Sequence, residues 1–200
     1  MHPIELLALR GTPEVIAIDE RFSKLVVETD ENGIEREVRR SPIIYQCKTG
    51  NLIVDVGRIN VLKQIPPSGL TSFSGINNFG YAGVGNTSTA AAAGDVKLGY
   101  EHIANANRIS ALNTSGSAFS NSDIIAETSG SNTQKLVMQF TWTSGDSNNT
   151  QVFSEYGIFS TATLPGTNTG TSGSMFARFV PSSSLTKGAF AVILSWTLQA

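Results

Sequence analysis

The chain has 200 residues, a formal net charge of −2 at neutral pH, 40% apolar residues and one cysteine. That length accommodates one ordinary domain, or a small domain joined to a larger one, and buries roughly two-thirds of its unfolded surface without staples. The near-neutral balance supplies no global basic field for nucleic acid and no acidic one for cations. The lone Cys47 excludes an internal disulfide or a cysteine-based zinc cluster and is expected to be a plain structural thiol.

The opening MHPIELLALRGTPE carries an early acidic residue and no long apolar stretch, so it does not read as a secretory leader. No run of 18 apolar residues predicts a membrane span. Within it, Ile4 to Arg10 has room for one or two helical turns, too short to stand alone. Val15 to Ile18 and Leu25 to Glu28 are β-branched runs that predict strands. Asn32-Gly33 gives the strongest short hairpin signal, and Ile34, Arg36 and Val38 then alternate with Glu35, Glu37 and Arg39, as in a half-buried strand. Ile43 to Tyr45 and Leu52 to Val56 are two further strand candidates.

Composition changes near Pro66-Pro67. Residues 1–64 hold 19 charged side chains, whereas residues 65–200 hold 11, with Ser, Thr, Gly and Asn taking their place. The two prolines, followed by Ser68-Gly69, disfavour both helix and central strand. The expected division is therefore a small charged β-rich attachment region, 1–64, and a Ser/Thr/Gly-rich domain, 65–200.

In the second region, KLVMQFTWT places Leu136, Met138, Phe140 and Trp142 on one face of a strand. A polar turn over Ser144 to Asn149 leads to QVFSEYGIFS. A long loop at 161–174, the strand MFARFV and the closing AFAVILSWTL follow, the last with Phe190, Val192, Leu194, Trp196 and Leu198 on one side. Strands at this spacing predict an all-β antiparallel sandwich, jelly-roll-like or another Greek key.

Chemistry-bearing constellations are scarce. His2 and His102 are the only histidines. Glu101-His102 could pair a base with its orienter, but no nucleophile motif accompanies it, and a surface or capping role is expected. Gly80, Gly83 and Gly85 in GYAGVG match no phosphate-loop spacing and read as backbone freedom around a turn. Glu101, Asp123, Glu127, Asp146 and Glu155 are too few to argue a glycosidase pair. The 146–149 segment lacks calcium-loop spacing. The sequons at Asn86, Asn113 and Asn148 fit chance in an Asn/Ser/Thr-rich chain. Arg36, Arg39 and Arg40 are interleaved with Glu35 and Glu37, so pairing across a hairpin or at a subunit contact is preferred to phosphate binding. Phe140, Trp142, Phe190 and Trp196 alternate with smaller residues as core aromatics do. No catalytic, cofactor-binding or metal-ligating residue is assigned, and no cofactor is expected.

Two stretches share a pattern. INNFGYAGVGNTSTAAAAGDVKLGYEHIANANRIS carries Gly83 and Gly85, a Ser/Thr/Ala-rich turn at 87–93, Asp95 with Leu98, then Glu101 and Arg108. SEYGIFSTA, GSMFARFV and SLTKGAFAVILSWTLQA carry Glu155, Gly157, Phe159, Ala177, Arg178, Lys187, Trp196, Thr197 and Leu198. In this order the pattern resembles tailed-bacteriophage tail, fibre and collar-type accessory proteins, over residues 76–200.

The resemblance implies a non-enzymatic virion structural protein, made in the bacterial cytoplasm and assembled in multiple copies. Its partners would be copies of itself and other virion proteins, with no nucleic acid and no membrane. A capsid decoration or cement protein is the nearest alternative. A carbohydrate- or receptor-binding module, using the 161–174 loop, is the second.

Overall fold

The computed structural model describes residues 10–29, 33–48, 52–53, 79–105, 107–112, 124–126, 134–146 and 150–199. The expected helical turns before Arg10, the Pro66-Pro67 connector, His2, Asp123, Glu127, and the sequons at Asn113 and Asn148 lie outside these residues.

Period-two alternation forms the expected all-β sandwich. The strands are β1 (Arg10–Ile18), β2 (Lys24–Thr29), β3 (Glu35–Arg40), β4 (Ile43–Lys48), β5 (Leu52–Ile53), β6 (Tyr81–Gly85) and β7 (Ile109–Ser110). They continue with β8 (Ile124–Ala126), β9 (Gln134–Trp142), β10 (Val152–Phe153), β11 (Glu155–Phe159), β12 (Met175–Phe179), β13 (Leu185–Thr186) and β14 (Ala191–Gln199). One sheet runs β4-β1-β14-β9-β8 and the other β5-β12-β11-β6-β7, five strands each and antiparallel throughout. Val15, Ala17, Met138, Phe140, Trp142, Val192, Leu194 and Trp196 of the first sheet meet Ala82, Val84, Tyr156, Ile158, Ala177 and Phe179 of the second. Trp142 packs edge-on to Phe153 and Tyr156, with centroids 5.8 and 5.9 Å away.

The two composition regions share these sheets. Strand β1 pairs along its whole length with β14, from Arg10 opposite Gln199 to Ile18 opposite Ala191, and β5 pairs with β12. Of the charged region, what stands apart as its own sheet is the β2-β3 hairpin. The first region's charges gather on that hairpin, while β1 keeps apolar residues at its buried positions.

Two local expectations are corrected. QVFSEYGIFS is two strands, β10 and β11, with Ser154 between them donating its N–H to the Gly85 carbonyl. GYAGVG is not a turn: Tyr81–Gly85 is strand β6, paired residue for residue with β11. Its glycines are needed for close approach. A side chain at Gly83 would strike the Glu101 carboxylate and lie 3.1 Å from the Phe159 ring, and one at Gly85 would lie 2.6 Å from Glu155 Oε1.

Candidate functional site

These glycines floor a layer that periodicity could not reveal. On β6, β11 and β12 the residues facing away from the main core include Gly83, Gly85, Glu155, Gly157, Phe159 and Arg178. Strand β11 is nevertheless buried at every position, because two loops, one with residues 86–105 and 107–108 and the other 160–174, lie over that face. Leu98 drops onto it beside Phe159 and Met175, forming a small second core. Backbone bonds tie the layers: His102 N–H donates to the Val84 carbonyl (2.8 Å), Glu101 N–H to Asn168 (2.7 Å) and Arg108 N–H to Ala162 (2.8 Å).

Two buried arginines clamp this layer. Arg108 and Glu101 are 1% and 2% exposed and form a two-point pair, Nε to Oε1 at 2.7 Å and Nη2 to Oε2 at 2.9 Å. The remaining Arg108 nitrogen, Nη1, donates to the carbonyls of Thr161 (3.2 Å) and Ser172 (2.9 Å), and the guanidinium lies 3.5 Å from the Phe159 ring centroid. Arg178 joins Glu155 (2.9 Å) to Asp95 (2.8 Å) and donates to the Thr89 carbonyl at 3.0 Å. Glu155 in turn accepts the N–H groups of Gly99 (3.0 Å) and Tyr100 (2.9 Å). Each guanidinium nitrogen is therefore engaged inside the fold, which leaves no open fork for a phosphate.

A third buried cation closes the neighbouring turn. Lys187 is fully buried, and its ammonium donates to the carbonyls of Thr143 (2.8 Å), Gly188 (3.0 Å) and Phe190 (2.8 Å). Burial pulls its pKa below the ordinary lysine value, with Asp146 acting the other way. Burial likewise raises the Asp146 carboxyl, and it carries the Tyr156 hydroxyl well above the usual phenol range.

Among the described residues, those weighed for acid-base chemistry are each engaged with a neighbour inside the fold. His102 is buried rather than at the surface: its Nε2 lies 2.7 Å from the Val152 carbonyl, while adjacent Glu101 is spent on Arg108. Glu101 and Glu155 each face an arginine, and Asp146 stands by Lys187. Among the described residues, no group of three or more His, Cys, Asp or Glu side chains could hold a metal ion. Cys47 is buried, with Sγ 3.8 Å from the Ser182 hydroxyl.

What the fold presents outward is the β2-β3 hairpin. Gly33, with φ of 77°, supplies the left-handed turn residue foreseen from Asn32-Gly33. The strands run from Lys24 opposite Arg40 to Thr29 opposite Glu35. The alternation does not give the half-buried strand expected here. Leu25, Val27 and Ile34 are all more than half exposed, as is Phe22 in the 3-10 turn Glu20–Phe22 before β2. Arg40 and Glu28 pair across the hairpin at 2.6 Å, and the Glu28 carboxyl is held below its usual range by that bond. Exposed apolar residues thus gather on a ribbon of only two strands.

Comparison with protein-family models, with curated proteins and with solved structures finds no match for the chain. No helix among the described residues is long and apolar enough to cross a membrane.

Proposed function

We propose that the chain is a structural component of a tailed-bacteriophage particle, built into it in several copies as part of a tail, collar or fibre. The observation that carries this reading is the place of the residues that resemble phage accessory proteins. Gly83, Gly85, Asp95, Leu98, Glu101 and Arg108 in one stretch, and Glu155, Gly157, Phe159 and Arg178 in the other, interlock in one clamped layer. Two weak motifs far apart in sequence thus serve one physical purpose, pinning long polar loops onto a sheet. That purpose suits a protein whose work is to hold shape among neighbours.

The same layer speaks against catalysis. Its carboxylates and arginines neutralise one another, and acid-base work needs a group left poised to gain or lose a proton. An outward hairpin with apolar and charged side chains supplies the kind of surface by which subunits meet.

Immunogold labelling of particles produced by the genome that encodes the chain tests the reading. Gold at the tail, collar or fibres is the expected result. Gold spread over the head would move the protein to the capsid surface, and unlabelled particles beside abundant free protein would overturn the proposal.

A further inference from the structure

We propose that strand β2 is a self-pairing edge, through which two copies of the chain join their hairpins into one four-stranded antiparallel sheet about a two-fold axis at Val26. The inference gives the multi-copy reading above its contact surface. It rests on that reading only in that copies of the chain must meet.

Among the described residues, β2 and β3 form a sheet of two strands, with no third strand beside β2. An edge without a neighbouring strand is a template for another one, and a lone two-stranded ribbon is marginal in water. Strand β2 reads Lys24-Leu25-Val26-Val27-Glu28 before Thr29. Turned about Val26, this segment is complementary to itself. Lys24 faces Glu28 of the second copy and Leu25 faces its Val27. Val26 faces Val26, and the same pairs repeat on the other side of the axis.

Directly opposite residues share a face of the sheet. Because Val26 is already paired with Val38, the joined sheet would carry four valines in a row, Val38-Val26-Val26-Val38. On the opposite face, Leu25 and Val27 of both copies would form an apolar cluster from side chains that are 63% and 57% exposed in the single chain.

Charge selects both the strand and the register. Within one hairpin Lys24 stands opposite Arg40, a like-charged cross-strand pair. Arg40 is held by Glu28 of its own hairpin, and the second copy would bring its Glu28 to the outer side of Lys24 as well. Of the registers centred on the middle of β2, the one at Val26 sets Lys24 against Glu28. Strand β3, Glu-Arg-Glu-Val-Arg-Arg, has no central register free of like-charged pairs. Centred on its middle residues it sets Glu37 against Glu37, Arg36 against Arg39, or Arg36 against Arg40, each beside one kind of Glu–Arg pair, whereas the Val26 register of β2 has no like-charged pair. Mixed charge at an exposed edge thus directs pairing to β2 and away from β3.

The test uses the full chain and sedimentation equilibrium. Lys24→Glu sets two carboxylates against each other at this contact, and Glu28→Lys sets two ammonium groups against each other. Each variant alone should therefore self-associate at least tenfold more weakly than the wild type. Mixed in equal amounts, they should form a heterodimer at near wild-type strength, because opposite charges then face each other. Lys24 is exposed and Glu28 partly so, and near-ultraviolet circular dichroism verifies that both variants fold.

As a second measurement, Val26→Cys in a Cys47→Ser background should oxidise to a linked dimer and Leu25→Cys should not, since only the residue on the axis meets its own copy. Single variants that associate as the wild type does, or a mixture no stronger than its components, would overturn the β2 contact and leave the virion reading standing. A wild-type chain that is monomeric to hundreds of micromolar would overturn it as well. Particle labelling then decides separately whether the wider reading also fails.

Discussion

Replacing Arg108 by methionine keeps the length of the side chain and removes its charge and donors. The loss follows from the geometry. Glu101, 2% exposed, would be left as a buried carboxylate without its cation, and breaking a buried pair in this way costs about 3–5 kcal/mol. The carbonyls of Thr161 and Ser172 would each lose a donor, while the methionine thioether still packs on Phe159. A net loss of about 4 kcal/mol is therefore expected, a large part of the ~5–15 kcal/mol that holds a domain folded. In a chain of this size that lowers the melting temperature by roughly 8–16 °C. Urea unfolding followed by fluorescence reads it directly, since Trp142 and Trp196 are both buried in the core. Combining Arg108→Met with Glu101→Leu removes both charges together and should recover more than half of the loss. A single variant costing under about 1 kcal/mol, the worth of an exposed pair, would show that the Arg108–Glu101 pair does not act as a buried clamp. So would a double variant no better than the single.

Gly83→Ala should destabilise by about 1–3 kcal/mol, because the new methyl meets the Glu101 carboxylate and the Phe159 ring; thermal unfolding that matches the wild type would contradict this. Tyr156→Phe should be neutral or stabilising by up to about 1 kcal/mol in urea unfolding, since among the described residues its buried hydroxyl has no hydrogen-bond partner. Asp19 accepts from Arg21 at 2.6–2.8 Å, and this bond holds its carboxyl below the ordinary aspartate value of 3.8. Its folded pKa lies under its unfolded one, so the stabilisation is fully present above the unfolded value and is lost as pH falls through the folded value. Asp19→Asn should accordingly flatten the acid limb of a stability-against-pH curve below about pH 4 and leave the curve's shape at neutral pH unchanged.

The sandwich was legible because its strands alternate. Met138, Phe140 and Trp142, like Val192, Leu194 and Trp196, lie at the buried positions that period two assigns. The covered outer face of β6, β11 and β12 was not legible. There Glu155 and Arg178 occupy alternate positions that read as solvent-facing, and their burial depends on loops whose path periodicity does not record. The signal that could have found it is the glycine pairing: Gly83 and Gly157 are direct cross-strand partners, and such a floor implies something pressed against it. His102 was misplaced for the same reason, since it belongs to the covering loop. The hairpin was placed by Asn32-Gly33, but not the exposure of Ile34, because alternation cannot distinguish a face against the core from a face in solvent.

Quantitative mass spectrometry of gradient-purified particles tests whether the chain is a virion component. A tail, collar or fibre component remains with the particles through purification, at several copies for each tail. Its absence from purified particles, while it stays abundant in the free protein of the same lysate, would rule out a structural place in the virion.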